Sequence, residues 1–144
     1  MSSQTLLETV RSLVFTVATV ATSQETPLEI AKSFGEVESA SRSAIYVKPS
    51  DPRLKRVIVV RHPASGDTGS VQLQLAVPGS LTAKELEALW GPAQHPPALA
   101  IETRTLIFRP PLPDGARFRA TVTLIVDGLE TGPTLWVYVI RDPL

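Results

Sequence analysis

Cysteine is absent from the 144-residue chain. Its absence excludes disulfides, thiolate metal sites, a cysteine nucleophile and a lipid anchor on cysteine, and it fits a reducing compartment. Net charge is absent as well, with 14 basic and 14 acidic side chains. No global field therefore argues for nucleic acid or an anionic membrane. Histidine is scarce: His62 and His95 are the only two. They cannot by themselves make a three-ligand zinc site, although carboxylates could supply the rest. The chain has no Gly-rich phosphate loop, no HExxH and no Gly-x-Ser-x-Gly. We expect no catalytic, cofactor-binding or metal residues.

What remains is globular. Hydrophobic content is 43% and charged content 19%, and the length suits one domain. Proline is plentiful at 13 and falls between candidate strands, so many connections are stiff. The main pattern is an internal echo. Thr26-Pro27-Leu28-Glu29-Ile30-Ala31-Lys32-Ser33-Phe34-Gly35 reads against Thr82-Ala83-Lys84-Glu85-Leu86-Glu87-Ala88-Leu89-Trp90-Gly91. Both are Thr-x-x-Glu-aliphatic-x-x-x-aromatic-Gly. Ile45 to Pro49 matches Leu106 to Pro110, Asp51 to Val60 resembles Asp114 to Leu124, and Val71 to Val77 resembles Leu135 to Arg141. A repeat of this length sets the architecture before any single residue does.

Each Thr-x-x-Glu has the form of a helix-starting capping box, and Gly35 and Gly91 mark the helix ends. The two short helices are expected to bury Leu28, Ile30 and Phe34, and Leu86, Leu89 and Trp90. Strands are expected over about 43–48, 55–61, 70–77, 100–109, 117–126 and 134–141. Turns over Ser50 to Pro52, Ala64 to Gly69, Pro111 to Gly115 and Asp127 to Pro133 separate them. The predicted fold is α+β: two tandem helix-plus-three-strand meander repeats forming an antiparallel sheet with helices on one face. Residues 1–144 form a single domain, with an N-terminal segment 1–25, repeat 1 over 26–79 and repeat 2 over 80–144. Two smaller packed units are the alternative.

The N-terminus carries two signals. Leu6, Leu7, Val10, Leu13, Val14, Val17, Val20 and Ala21 have helical spacing, while Phe15 to Val20 is rich in β-branched residues. Counting back from Gly35 and Gly91 aligns Phe15, Val17 and Ala21 with Val71, Leu73 and Val77. We expect a helix over about 4–12 and a strand over about 13–22. The expected location is the cytoplasm. If residues 1–22 are a signal peptide, it is secreted or periplasmic.

Leu81-Thr82-x-x-Glu85-Leu86-x-x-Leu89-Trp90-Gly91-Pro92, followed by Val122 to Gly128, resembles the BamE/SmpA outer-membrane lipoprotein family. There a helix ending in Gly-x-Pro precedes an antiparallel meander. Tandem copies of the unit are similar to the β-lactamase inhibitor protein fold, which grips an enzyme with an open sheet face. The resemblance covers about residues 80–128, with an echo in 26–60. It implies a sheet-face binder. The lipidated cysteine and the cysteine pairs of those families are missing here.

Val57 to Val60 followed by Arg61-His62-Pro63 resembles the nucleophilic strand of histidine phosphatases. Pro63 removes an N–H that such a loop needs, and the alternative reading is a histidine at a hairpin mouth. Asp51, Asp67, Asp114 and Asp127 read as turn residues bonding their own backbone. The strand cations from Arg53 to Arg141 read as solvated edge charges, or as a basic face for an acidic partner.

Comparison of the halves points to a binding face. Along the last strand of each half, Gln72 and Gln74 match Trp136 and Tyr138. Side chains alternate across a strand, so the second half puts aromatics where the first is polar. Thr103, Thr105, Ile107, Thr121, Thr123 and Ile125 would share that surface. We expect Trp136, Tyr138, Thr123, Ile125 and Arg104 to contact a protein partner or a second copy. The expected role is a non-catalytic protein-binding module of inhibitor, immunity or assembly-factor type. The alternatives are a small hydrolase or phosphoryl-transfer enzyme centred on His62, and a structural homo-oligomer. Neither nucleic acid nor stable membrane insertion is expected.

Overall fold

The computed structural model describes residues 5–20, 23, 25–96, 103–127 and 133–144. Among them are three helices, α1 (Leu6–Thr19), α2 (Thr26–Phe34) and α3 (Ala83–Trp90). The strands are β1 (Gly35–Ala40), β2 (Ala44–Pro49), β3 (Leu54–Arg61), β4 (Thr68–Leu75), β5 (Thr103–Phe108), β6 (Phe118–Asp127) and β7 (Thr134–Pro143). The fold is α+β. One seven-stranded antiparallel sheet runs β1-β2-β3-β4-β7-β6-β5.

The core follows from the two-residue period of these strands. Ile45, Val59, Val71, Val139, Val122 and Phe108 are aligned across the sheet by strand pairing. Val47, Val57, Leu73, Val137, Leu124 and Leu106 form the next row. All twelve are buried. They form one cluster with the apolar stripes of the helices, so the helices share one face of the sheet. Helix α1 packs on β6 and β7, α2 on β1, β2 and β3, and α3 on β5.

The N-terminal strand expected over 13–22 is not formed among the described residues 13–20. Residues 6–19 are a single helix, opened by a capping box between Thr5 and Glu8. Leu6, Val10, Leu13, Val14, Val17 and Ala18 make a continuous buried stripe, and burying it outweighs the β preference of Val and Thr. Thr9, Thr16 and Thr19 donate their hydroxyls to carbonyls four residues back, at 3.1, 3.0 and 2.7 Å, so they remain satisfied within the helix. The proposed alignment of Phe15 and Val17 with Val71 and Leu73 therefore fails. Ala21 and residues 100–102 lie outside the described residues, as does most of the Asp127 to Pro133 turn.

Other corrections are local. Thr82 caps α3 through the expected box with Glu85, but Thr26 is already inside α2, whose N-cap is Glu25 with no side-chain cap bond. Ile30 and Leu86 are buried as expected, whereas Leu89 and Val77 are exposed. Strand β1 has no counterpart in the expected set of strands. Helix α2 runs into it without a loop at Gly35, whose φ of 157° and ψ of −149° lie where glycine alone is comfortable. The β1 side chains are mostly exposed and polar, so no hydrophobic alternation marks the strand. At the opposite edge, Gln94 exchanges both backbone bonds with Ile107, at 2.8 and 3.0 Å. That bridge covers part of the edge of β5.

Candidate protein-binding face

The face away from the helices is set by the same register. Tyr46, Ile58, Gln72, Tyr138, Thr123 and Ile107 form one row across six strands. Arg56, Gln74, Trp136, Ile125 and Thr105 form the next. On the far side of the first row lie Val60, Ser70, Ile140 and Thr121. None of these residues belongs to the core cluster, and no described helix lies over them.

The centre of this surface is aromatic and aliphatic. The rings of Trp136 and Tyr138 meet edge to face, centroids 5.9 Å apart and planes at 75°, an arrangement favoured by the ring quadrupoles. Both are half-buried, as are Ile58, Ile107, Ile125 and Ile140. Burial pushes the Tyr138 hydroxyl above its ordinary pKa, because the phenolate would lose hydration beside Trp136. Thr121 and Thr123 are packed between neighbouring side chains and nearly inaccessible. Thr121 donates its hydroxyl to Asp142 at 3.3 Å.

Charges of both signs stand at the margin. By register, Glu36 pairs with Lys48 at the β1 edge and Arg119 with Asp142 at one end, while Arg56 and Asp127 occupy other ends of the strands. An apolar centre with a mixed polar rim is the anatomy of many protein interfaces.

The sequence-predicted site residues are therefore partly brought together. Trp136, Tyr138, Thr123 and Ile125 adjoin one another across β6 and β7. Arg104 does not join them. It pairs with Val126 and shares the parity of Leu106 and Phe108, which places it on the helix-side face. Leu135, aligned with core residue Val71 in the sequence, falls in a bulge where Ile125 pairs with Trp136 and Val126 with Thr134. The strand cations are dispersed, too. Arg53 pairs with Asp51 at 2.8 Å, Arg109 donates to Gln94 at 3.0 Å, and Arg141 lies on the helix side.

Arg141 carries an unexpected contact. Its Nη1 donates to Asp67 Oδ2 at 2.9 Å, with both side chains almost wholly buried. The guanidinium also lies 3.9 Å from the centre of the Phe118 ring, a cation–π contact. The other Asp67 oxygen accepts from the Thr68 N–H at 2.7 Å. Sequence reasoning marked Asp67 as a turn residue and Arg141 as one of the strand cations. Only the pairing of β4 with β7 connects the two.

His62 is exposed in the β3–β4 turn. Its Nδ1 accepts from Ala64 N–H at 3.2 Å and its backbone N–H donates to the Asp67 carbonyl at 2.6 Å, so the ring is turned back on its own loop. His95 is exposed in another loop. Among the described residues no group of three potential ligands could hold a metal, and no helix is long and apolar enough to cross a membrane. Comparison with protein-family models, with curated proteins and with solved structures gives no match.

Proposed function

We propose that this protein is a non-catalytic, cytoplasmic protein-binding module that seats a folded protein partner on its open sheet face. One observation carries the reading: the Trp136–Tyr138 pair lies within a face that no described helix covers, flanked by isoleucines and edged by charges of both signs. Large aromatic residues in such a setting are the usual anchors of binding energy. The two halves fit the same reading as copies of one unit. The strand order is palindromic about the β4/β7 seam once β1 is set aside, and the second copy has exchanged Gln72 and Gln74 for aromatics. The BamE/SmpA-like resemblance, with its sheet-face inhibitors, points the same way.

A photoreactive phenylalanine analogue placed at Tyr138 in cells tests the proposal. It should capture a discrete protein, and Ile125→Asp should abolish capture while leaving the circular dichroism spectrum unchanged. Capture no stronger than from the same analogue at exposed Lys32 would overturn it. If the chain captures only itself, and sediments as a dimer in pure form, the structural homo-oligomer replaces the foreign partner.

A further inference from the structure

We propose that the groove between α1 and α2 binds an amphiphilic organic cation: an aliphatic or aromatic body bearing a protonated amine or a guanidinium. The groove lies on the helix side of the sheet and owes nothing to the open face. Its volume is about 800 Å³, within the range of small-molecule sites. Leu13, Ile30, Phe34 and Leu54 supply an apolar floor.

The sign of the ligand follows from the polar rim. Six hydroxyls line it, those of Thr9, Ser12, Thr16, Thr26, Ser33 and Ser50, and four of them have their protons committed to backbone carbonyls. Thr9 donates to Thr5 at 3.1 Å, Thr16 to Ser12 at 3.0 Å, Ser33 to Ile30 at 2.6 Å and Ser50 to Phe34 at 3.2 Å. A hydroxyl whose proton is spent still offers lone pairs, so these four present acceptors to a ligand.

The charges agree. Glu29 and Asp51 both line the groove. The Arg53 guanidinium holds the Asp51 carboxyl below its ordinary pKa by hydrogen bonding. Arg53 is the cation of the lining, and its Nε and Nη2 are turned onto Asp51 at 3.0 and 2.8 Å. Glu8 acts on Arg53 as a further nearby negative charge. The positive end of α2 opposes this, but Glu29 sits in its first turn and offsets it. The lining carries two carboxylates against one guanidinium, so an anionic ligand would meet net negative charge. A purely apolar ligand would cover lone pairs without partners, which is unfavourable.

Calorimetry on the full chain with three probes of one shape tests this: phenylbutylamine, phenylbutanol and phenylbutyrate. The amine should bind at least about tenfold more tightly than the alcohol, the gain of a charge-assisted hydrogen bond, and the carboxylate should bind most weakly. Glu29→Gln should reduce the amine to the level of the alcohol and leave alcohol binding unchanged. Ser12→Trp, which fills the groove from the exposed side of α1, should abolish both. Folding of each variant is checked by circular dichroism. Carboxylate binding equal to amine binding would overturn the proposal. So would no amine binding at millimolar concentration, or amine binding that survives both substitutions.

Discussion

Asp67 and Arg141 stand 74 positions apart in the chain yet form a buried ion pair at 2.9 Å. They tie the β3–β4 turn of the first half to the last strand of the second. A buried pair need not stabilise relative to apolar replacements, but removing one partner strands the other charge. Asp67→Ala should therefore destabilise the fold by about 3–5 kcal/mol. The double variant Asp67→Ala/Arg141→Met should recover part of that loss. Urea melts of the two singles and the double give the coupling directly.

Gly35 and Gly91 both have positive φ, 157° and 83°, but for different reasons. A Cβ at Gly35 would collide with the Lys48 carbonyl oxygen and come within 2.9 Å of the Ser50 nitrogen. A Cβ at Gly91 meets nothing within 4 Å. Gly91→Ala should cost about 1 kcal/mol, the conformational penalty alone. Gly35→Ala should cost clearly more, because the β1–β2 backbones must separate. Chemical denaturation of the two variants side by side measures the difference.

Trp136→Ala should lower stability by less than the roughly 3–5 kcal/mol usual for a buried Trp. Its ring is half-buried on a face that no described helix covers, and it meets Tyr138 edge to face. Thermal melts measure the loss. A drop as large as that of a core Trp would place the ring inside the fold and remove it from the binding face.

Tyr138 gives a prediction in pH. Its neutral form is favoured by burial, so its folded pKa exceeds the unfolded value near 10. The associated stability is fully present below about pH 10 and declines as pH rises through the folded value. In the Tyr46→Phe variant, which leaves Tyr138 as the remaining tyrosine, ultraviolet titration should show ionisation above the ordinary tyrosine range. Docking a partner on the face should move it higher still.

The parts of the fold that could be read from the sequence were those written in local chemistry. The Thr82–Glu85 box, the Asp51 turn and the alternating runs of β2 to β7 follow from neighbours a few residues apart. The aromatic face was legible because Trp136 and Tyr138 break the polar alternation set by Gln72 and Gln74. Tertiary packing decided the rest. The β-branched residues of α1 become helical because a sheet waits beneath them. Strand β1 carries no alternation because it is an edge. The Asp67–Arg141 pair and the α1–α2 groove join segments that no spacing rule connects, and Arg104 is assigned to its face by parity alone.

The β4/β7 seam has a consequence for synthesis. Helix α1 leaves the ribosome well before β6 and β7, yet it packs on both. Until β7 emerges, β4 presents an unpaired edge and the apolar stripe of α1 has at most β6 to cover. The nascent chain must hold both exposed, a state prone to aggregation, and closure depends on contacts of long sequence separation that slow folding. Truncation ahead of β7 would therefore remove more than one strand. It would leave the first helix with β6 but not β7 beneath it, and β2 to β4 with nothing to join them to β5 and β6.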